Sequence, residues 1–344
     1  MRKFGAKLLE VLRKGIVVLL ALCVLTSVFG IVMVAASTAY DGSSRYVIIQ
    51  TGALITGILL YLALTAFDID ILAGQRTLLF LFNTAFLAML LVWGVEGTSG
   101  NKSWLHFPFL PFNIQPAEVC KITYIIILAK TMSLNRNRIS SLRSVGTLTF
   151  HMLWIAPDRR HFARYRRCAD LHVPVRCHGL CRGVSGWWFL GGAGAVAAVS
   201  PYLWKYFIRD DQKQRILALI DPSIDPDGLG VLWQTTKLEA LRNGGLTGQG
   251  LFHGDLTSIG YLPAQHTDSI FSSIGEQLGM LGCLAALFLL LAIVLRCIQV
   301  GMKSPDYMNR LICIGIARCC CSRSSSTSAS ASACSRSSVW PCRF

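Results

Sequence analysis

Long apolar runs separated by short polar or basic stretches dominate the chain. The first, Gly15–Ala36, holds 22 residues without a charge, behind the basic start MRKFGAKLLEVLRK. At about 1.5 Å per residue it can cross about 30 Å of hydrocarbon. A cleaved signal peptide would have a shorter apolar core and a small-residue cleavage site, so this run is read as an uncleaved anchor. Further spans are expected over Tyr46–Phe67, Thr77–Val95, Ala117–Met132, Gly186–Trp204 and Ile270–Leu295. Phe150–Ala156 reads as a span that begins and is cut off. The pattern predicts an all-α polytopic membrane protein with about six or seven spans in the chain as written.

Positive charge orients these spans. The amino terminus, the loop Asn135–Arg143 (Arg136, Arg138, Arg143) and the loop Arg296–Arg310 are basic and are placed in the cytoplasm. The stretch Glu96–Gln115 and the long loop Lys205–Ser269 then face outward, provided an even number of spans is missing between Arg143 and Gly186. The outer loop is polar, rich in Gly and Asp, and about 65 residues long. A loop of that length between spans is usually functional. No repeat period is evident.

Composition agrees with a membrane protein but adds a complication. Hydrophobic residues make up 53% of the 344 and charged residues only 15%, against about 25% charged in a soluble domain. That argues against a soluble enzyme and against disorder. The net charge of +15 and the 13 Cys fit less well, and both are clustered. Pro157–Arg182 holds seven Arg, two Asp and three Cys, and Arg318–Phe344 holds four Arg, five Cys and no acid. These two segments supply nine of the fifteen charges and eight of the thirteen Cys.

Three readings compete for the two segments. Cys168, His172, Cys177, His178 and Cys181 are potential metal ligands, but their spacing does not match a paired CxxC pattern. A basic tail for anionic lipid or nucleic acid would carry Lys and interleaved aromatics, which this tail lacks. No nucleic-acid partner and no metal ligands are therefore assigned. The third reading is a slipped reading frame. Hydrophobic codons mostly carry T in the middle, and a shifted frame turns them into Ser, Cys and Arg. Back-translating Arg318–Phe344 from the third base of each codon permits an apolar segment, MLLFQVFVNVG followed later by GVLPVVGLALPF. Reading from Pro157 at the second base permits SPDIGVA followed by a long apolar run to Gly183. The expected organisation is a transmembrane part over residues 1–156, a frameshifted segment over 157–182, a transmembrane part over 183–317 with the outer loop 205–269, and a frameshifted tail over 318–344. Insertions or deletions are expected in the nucleotide sequence near codons 156, 182 and 317. A frame that runs uninterrupted through all three would refute the slips.

Four stretches outside these segments carry chemical signals. In the first, Lys102-Ser-Trp104 precedes Gln115-Pro-Ala-Glu118-Val-Cys-Lys121. Gln-Pro opens a helix, Glu118 falls in its first turn where the dipole favours an anion, and Lys121 lies on the same face. A helix cap with an ion pair is the plain reading, yet ionisable residues at a membrane edge are costly and often functional. In the second, Gln212-Lys213-Gln-Arg215 precedes Asp221-Pro-Ser-Ile-Asp225-Pro-Asp-Gly228. The Pro-containing repeats are turn chemistry, and the cations could hold a pyrophosphate or simply be solvated. The third runs from Trp233-Gln234 through Arg242-Asn-Gly-Gly245-Leu-Thr-Gly248-Gln-Gly250. Its glycines are reminiscent of a phosphate cradle, but without P-loop spacing a flexible turn is the simpler reading. The fourth is Tyr261-Leu-Pro-Ala-Gln-His266-Thr-Asp268-Ser-Ile-Phe271, then Gly275-Glu276-Gln-Leu-Gly279. Asp268 precedes an apolar span, and Glu276 would share its helix face if the helix begins near Asp268. Asp268 is then either a helix N-cap or a carboxylate poised as a base.

The order of these motifs resembles the SEDS family (shape, elongation, division and sporulation) of RodA and FtsW type. The resemblance rests on Trp104, Gln115-Pro-Ala-Glu118 with Lys121, Arg215 with the Asp221-Pro and Asp225-Pro-Asp-Gly228 repeats, Gln234, Gly244 to Gly250, and Leu262-Pro-Ala-Gln-His266-Thr-Asp268 with Gly275-Glu276. It covers about Gly15 to Ala317 apart from Pro157–Arg182, and the family's motifs also match the shifted frames. Ser269 stands where the family usually has Phe, and Gln277 where it usually has Glu. The DP repeats look closer to the elongation branch.

The resemblance implies a helical bundle of about ten spans in the bacterial cytoplasmic membrane. It implies a peptidoglycan glycosyltransferase that polymerises lipid II, an undecaprenyl-linked glycan precursor, during cell elongation or division. A class B penicillin-binding transpeptidase would be its partner. Carried over, Asp268 would be the catalytic base. Trp104, Glu118, Lys121, Lys213, Arg215, Gln234, His266 and Glu276 would bind or shape the substrate, and a divalent cation, Mg or Mn, would assist the pyrophosphate. A lipid II flippase and a non-catalytic scaffold for the transpeptidase are the alternatives. The chain as written lacks the family's last spans and is expected to be inactive until its frames are restored.

Overall fold

A computed structural model describes residues 16–65, 67–96, 102–107, 113–134 and 229–321, with isolated positions between 187 and 213. The segment expected to be frameshifted, 157–182, the loop 135–143, the expected partial span 150–156, Arg215, the 221–228 repeats and residues 322–344 lie outside them. The expected span Gly186–Trp204 is described at a few positions, each of them helical.

The described elements are helical apart from one short pair of strands. Helix α1 covers Ile16–Ser37 and α2 covers Arg45–Leu64, joined by a 3-10 turn over Ala39–Asp41. Short α3 (Ile69–Gly74) leads into α4 (Arg76–Trp93), then β1 (Gly94–Glu96), β2 (Lys102–Leu105) and α5 (Pro116–Leu134). Later come α6 (Leu229–Gly244), α7 (Asp255–Ser258), α8 (Ile270–Lys303) and a helix α9 over residues 307–321. The described residues fall into two compact units, one within Met1–Ala66, Arg209–Val294 and Cys321–Phe344, the other within Phe67–Ile208 and Leu295–Cys320.

Composition explains the elements. Val17–Ser37, Arg45–Leu64 and Ile270–Lys303 are each long and apolar enough to cross a membrane, and Arg76–Leu90 is a shorter apolar helix. None of the residues of α2 is buried within the chain, and Ile48, Ile55 and Leu59 are all exposed. A fully apolar, outward-facing helix is stable against lipid and unstable against water. The chain is thus a polytopic α-helical membrane protein, as its hydropathy pattern predicts.

The structure departs from the pattern in three places. Gly94–Glu96 and Lys102–Leu105 form an antiparallel pair with Val95 opposite Trp104, extended by a bridge from Leu105 to Ile114. Pairing satisfies backbone groups in a Gly-containing polar connection that periodicity alone reads as a loop. Helix α8 runs eight residues past the expected end at Leu295, because Arg296 to Lys303 continue without a Gly-Pro stop. It is also broken at Gly279, whose φ of 66° and ψ of −162° leave the helical region.

In the first unit, Met33, Ile274, Cys283 and Ala286 form a buried cluster with Leu241 and Leu251 against it. In the second, Tyr124 to Ala129 of α5 pack with Ala73, Leu79 and Met308, Leu311 and Ile312 of α9. Each cluster anchors one group of candidate residues.

Candidate active site

In the first unit, the turn that carries Asp268 is held from beneath by buried polar side chains. Gln265 is buried and its amide donates to the Ser37 carbonyl at the end of α1 and, at 3.3 Å, to the Thr257 carbonyl. Ser269 is buried and its hydroxyl donates to the Pro263 carbonyl at 2.6 Å. Ser269 therefore closes the turn with a hydrogen bond. The Ser273 hydroxyl donates to the Gln265 carbonyl at 3.3 Å. His266 stacks on Tyr46 of α2 with ring centroids 4.1 Å apart. Burial pushes the His266 imidazole below its ordinary pKa, which favours the neutral ring at neutral pH.

Asp268 stands on this platform, exposed, two residues before α8 begins. No hydrogen bond to its carboxylate is formed among the described residues, so it does not cap α8. Burial lowers the ammonium of Lys237 on α6 below its ordinary pKa, and the charge of Asp268 opposes that change. Sequence reasoning passed over Lys237, because a lone Lys in Thr-Thr-Lys-Leu-Glu reads as a solvated helix face.

Glu276 sits differently from the expectation that it shares a face with Asp268. It is fully buried, whereas Asp268 is exposed and precedes α8, which starts at Ile270. Its carboxylate accepts from the Leu256 amide at 2.7 Å, from the Thr257 amide at 3.0 Å and from the Thr257 hydroxyl. Beside it, the Gln277 side-chain oxygen accepts from the Phe252 amide at 3.1 Å. Both residues fasten the segment 252–257 to α8. Gln249 and Asp255 close the same segment with reciprocal bonds of 2.7 and 2.8 Å.

The glycine run has a structural use. Where α8 breaks at Gly279, the amides of Met280 and Leu281 donate to the carbonyls of Gly245 and Leu246, at 3.0 and 3.3 Å. The amides of Gln249 and Gly250 donate to the carbonyls of Glu276 and Gln277 at 3.0 and 2.9 Å. The backbones approach so closely that a Cβ on Gly248, at φ +82°, would lie 2.2 Å from the Gln277 carbonyl oxygen. Gly248→Ala is therefore expected to cost about 2–4 kcal/mol, combining left-handed strain with overpacking. Gly245→Ala, at φ +55° with open space around it, should cost only about 1 kcal/mol. Unfolding midpoints of the two variants in one detergent check this contrast.

The second unit carries the other group. Lys121 is buried in α5 and its ammonium bonds the Glu118 carboxylate at 3.0 Å, one turn earlier. Trp104 lies on β2, about one third exposed, and the bridge from Leu105 to Ile114 brings that strand to the start of α5. Thr123 donates to Asn83 of α4 at 2.5 Å, tying the two helices together. Lys213 and Gln234 belong to the first unit instead: Lys213 is helical and half-buried, and Gln234 lies on α6, its side chain outside the described ones. Among the described residues, no three His, Cys, Asp or Glu side chains gather in a way that could hold an ion. No step is routed through a metal ion.

The class defined by this fold and site is a polytopic helical membrane protein with an exposed carboxylate on a braced turn at the head of a span. Comparison with known proteins carries that further. The sequence profile of the cell cycle protein family FTSW_RODA_SPOVE matches residues 13–332. The chain is 30% identical over 339 residues to a Trichlorobacter lovleyi protein named "Probable peptidoglycan glycosyltransferase FtsW", covering 90% of this chain and 84% of that one. It is 31% identical over 227 residues to the peptidoglycan glycosyltransferase MrdB of Escherichia coli, covering 64% of this chain and 58% of that one. Among solved structures, a chain from a peptidoglycan synthase complex superposes with a TM-score of 0.67 at 24% identity, over 89% of this chain and 86% of that one. The rod shape determining protein RodA of Thermus thermophilus superposes with a TM-score of 0.57 at 21% identity, over 89% and 80%. The chain belongs to the FtsW/RodA/SpoVE family.

Proposed function

We propose that the protein is a peptidoglycan glycosyltransferase of the bacterial cytoplasmic membrane that polymerises lipid II, with Asp268 as the general base. The observation that carries this is the state of Asp268: exposed, free of hydrogen bonds among the described residues, and held on a turn braced by Gln265, Ser269 and Ser273. A carboxylate used as a cap would be consumed by backbone amides, and a solvated surface acid would need no such bracing. In the proposed reaction Asp268 takes the proton of the acceptor sugar hydroxyl. The hydroxyl oxygen bonds to the anomeric carbon of the donor, and the bond from that carbon to the lipid diphosphate breaks, its electron pair leaving with the diphosphate. Bracing fixes the base where the hydroxyl must lie, which lowers the barrier by positioning and proton transfer together.

Family membership and the relatives' names support the reaction class, and the peptidoglycan synthase complex among the structural neighbours supports a class B penicillin-binding transpeptidase as partner. The test uses the frame-restored protein in vesicles with labelled lipid II, following strand formation and transbilayer movement separately. Strand formation that Asp268→Ala abolishes supports the polymerase. Movement without strand formation by the unmutated protein would make it a flippase, and neither activity would leave it a scaffold.

A further inference from the structure

The turn that carries Asp268 is built around one strained residue. Ala264 has a φ of 48°, in the left-handed region that a residue with a Cβ adopts at a cost. Its carbonyl accepts from the amides of Thr267 and Ser269, at 3.0 and 3.2 Å, and from the Thr267 hydroxyl at 3.3 Å. Asp268 lies between those two amides in the chain, so its place follows from the conformation of Ala264. A strained turn of this kind persists only where its surroundings hold it.

The next two side chains supply that hold, and both reach the connection between α1 and α2. Gln265 donates to the carbonyl of Ser37, 228 residues earlier in the chain. His266 stacks on Tyr46, the second residue of α2, with ring centroids 4.1 Å apart and planes inclined by 34°. A third contact lies alongside them. A Cβ on Gly260, at φ +70°, would lie 2.6 Å from the Tyr40 ring. Three contacts of different kinds thus run from residues 37–46 to residues 260–266. The plain role of a tyrosine at the end of a span is to anchor the helix at the membrane surface. That role asks for no partner within the chain, whereas the Tyr46 ring meets an imidazole two residues from Asp268.

We propose that Tyr46 is a positioning residue of this site, holding His266 so that the turn keeps Asp268 where the acceptor hydroxyl must lie. The inference rests on the polymerase reading and extends the site to the head of α2. Tyr46 touches no reacting atom and acts through His266. The flat face of the ring does this rather than the hydroxyl, so Phe and Trp can replace Tyr46. A base displaced by about 1 Å can lose about a hundredfold in rate. Substrate affinity, which is spread over other contacts, changes little.

The test uses the frame-restored protein in nanodiscs and measures kcat and KM for strand formation, together with amide exchange over residues 262–269. Tyr46→Ala is expected to lower kcat roughly 10- to 100-fold per folded molecule, with KM within about twofold. Tyr46→Phe and Tyr46→Trp should keep most of kcat. In a His266→Ala background, Tyr46→Ala should lower kcat by less than about a further twofold, because both substitutions break the same contact. Exchange at the amides of Thr267 and Ser269 should quicken in Tyr46→Ala and not in Tyr46→Phe. Undiminished kcat in Tyr46→Ala, an equal loss in Tyr46→Phe, a rise in KM alone, independent losses in the double variant or unchanged exchange would each overturn the inference. Strand formation by the unmutated protein would leave the polymerase reading standing in all of these cases. Quickened exchange in a protein that makes no strands would sink the polymerase reading and keep Tyr46 as the anchor of the turn.

Discussion

Asp268→Asn is expected to lower the rate of strand formation by at least about a hundredfold, within the range of 10²–10⁴ for loss of a general base. Asn keeps the size of the side chain but cannot take the acceptor proton. Because Asp268 is exposed and holds no hydrogen bond among the described residues, the substitution should change stability by no more than about 0.5 kcal/mol. The expected signature is a stable protein with an unchanged unfolding midpoint and almost no turnover. Asp268→Glu keeps the base but shifts it by a methylene, so it should retain partial activity. A loss of activity that tracked loss of folded protein would show that Asp268 supports the turn instead.

Glu276→Ala is expected to give the opposite signature. It strands the amides of Leu256 and Thr257 and the Thr257 hydroxyl in a site where Glu276 has no solvent exposure. Burying polar groups without partners should cost about 3–5 kcal/mol, at the upper end for a single substitution. The loss should be local first. Amide exchange should accelerate over residues 252–261, which Glu276 and Gln277 fasten to α8. Glu276→Gln keeps one acceptor but turns an amide donor toward backbone amides, so it should fall between the two. Activity should decline in step with the folded fraction. Normal stability in Glu276→Ala would refute the bracing role.

These two carboxylates show how far the sequence could be read. Both stand in one short motif near a span, where the resemblance makes Asp268 the base and Glu276 a substrate contact. Their separation by eight residues suggested a shared face, but that holds only if the helix begins at Asp268. It begins at Ile270, and the break at Gly279 further changes which backbone groups α8 offers. That break could not be found by hydropathy, because Leu-Gly-Met-Leu-Gly reads as unbroken apolar sequence.

The spans at Gly15–Ala36, Tyr46–Phe67 and Ile270–Leu295 were legible, because a long uncharged run has few alternatives in lipid. The Glu118–Lys121 pair was legible too, since helical spacing and a Gln-Pro start suffice to place it. The glycine run was legible as a turn but not in its purpose. Its partner is the backbone of α8 some 30 residues later, an interaction that no local pattern encodes.

The most direct test of the central claim incubates the frame-restored protein, and separately its Asp268→Asn form, with the same labelled lipid II and resolves the products by length. The account predicts a ladder of glycan strands from the first and unreacted lipid II from the second, at equal amounts of folded protein. Strands of the same length and yield from Asp268→Asn would contradict it.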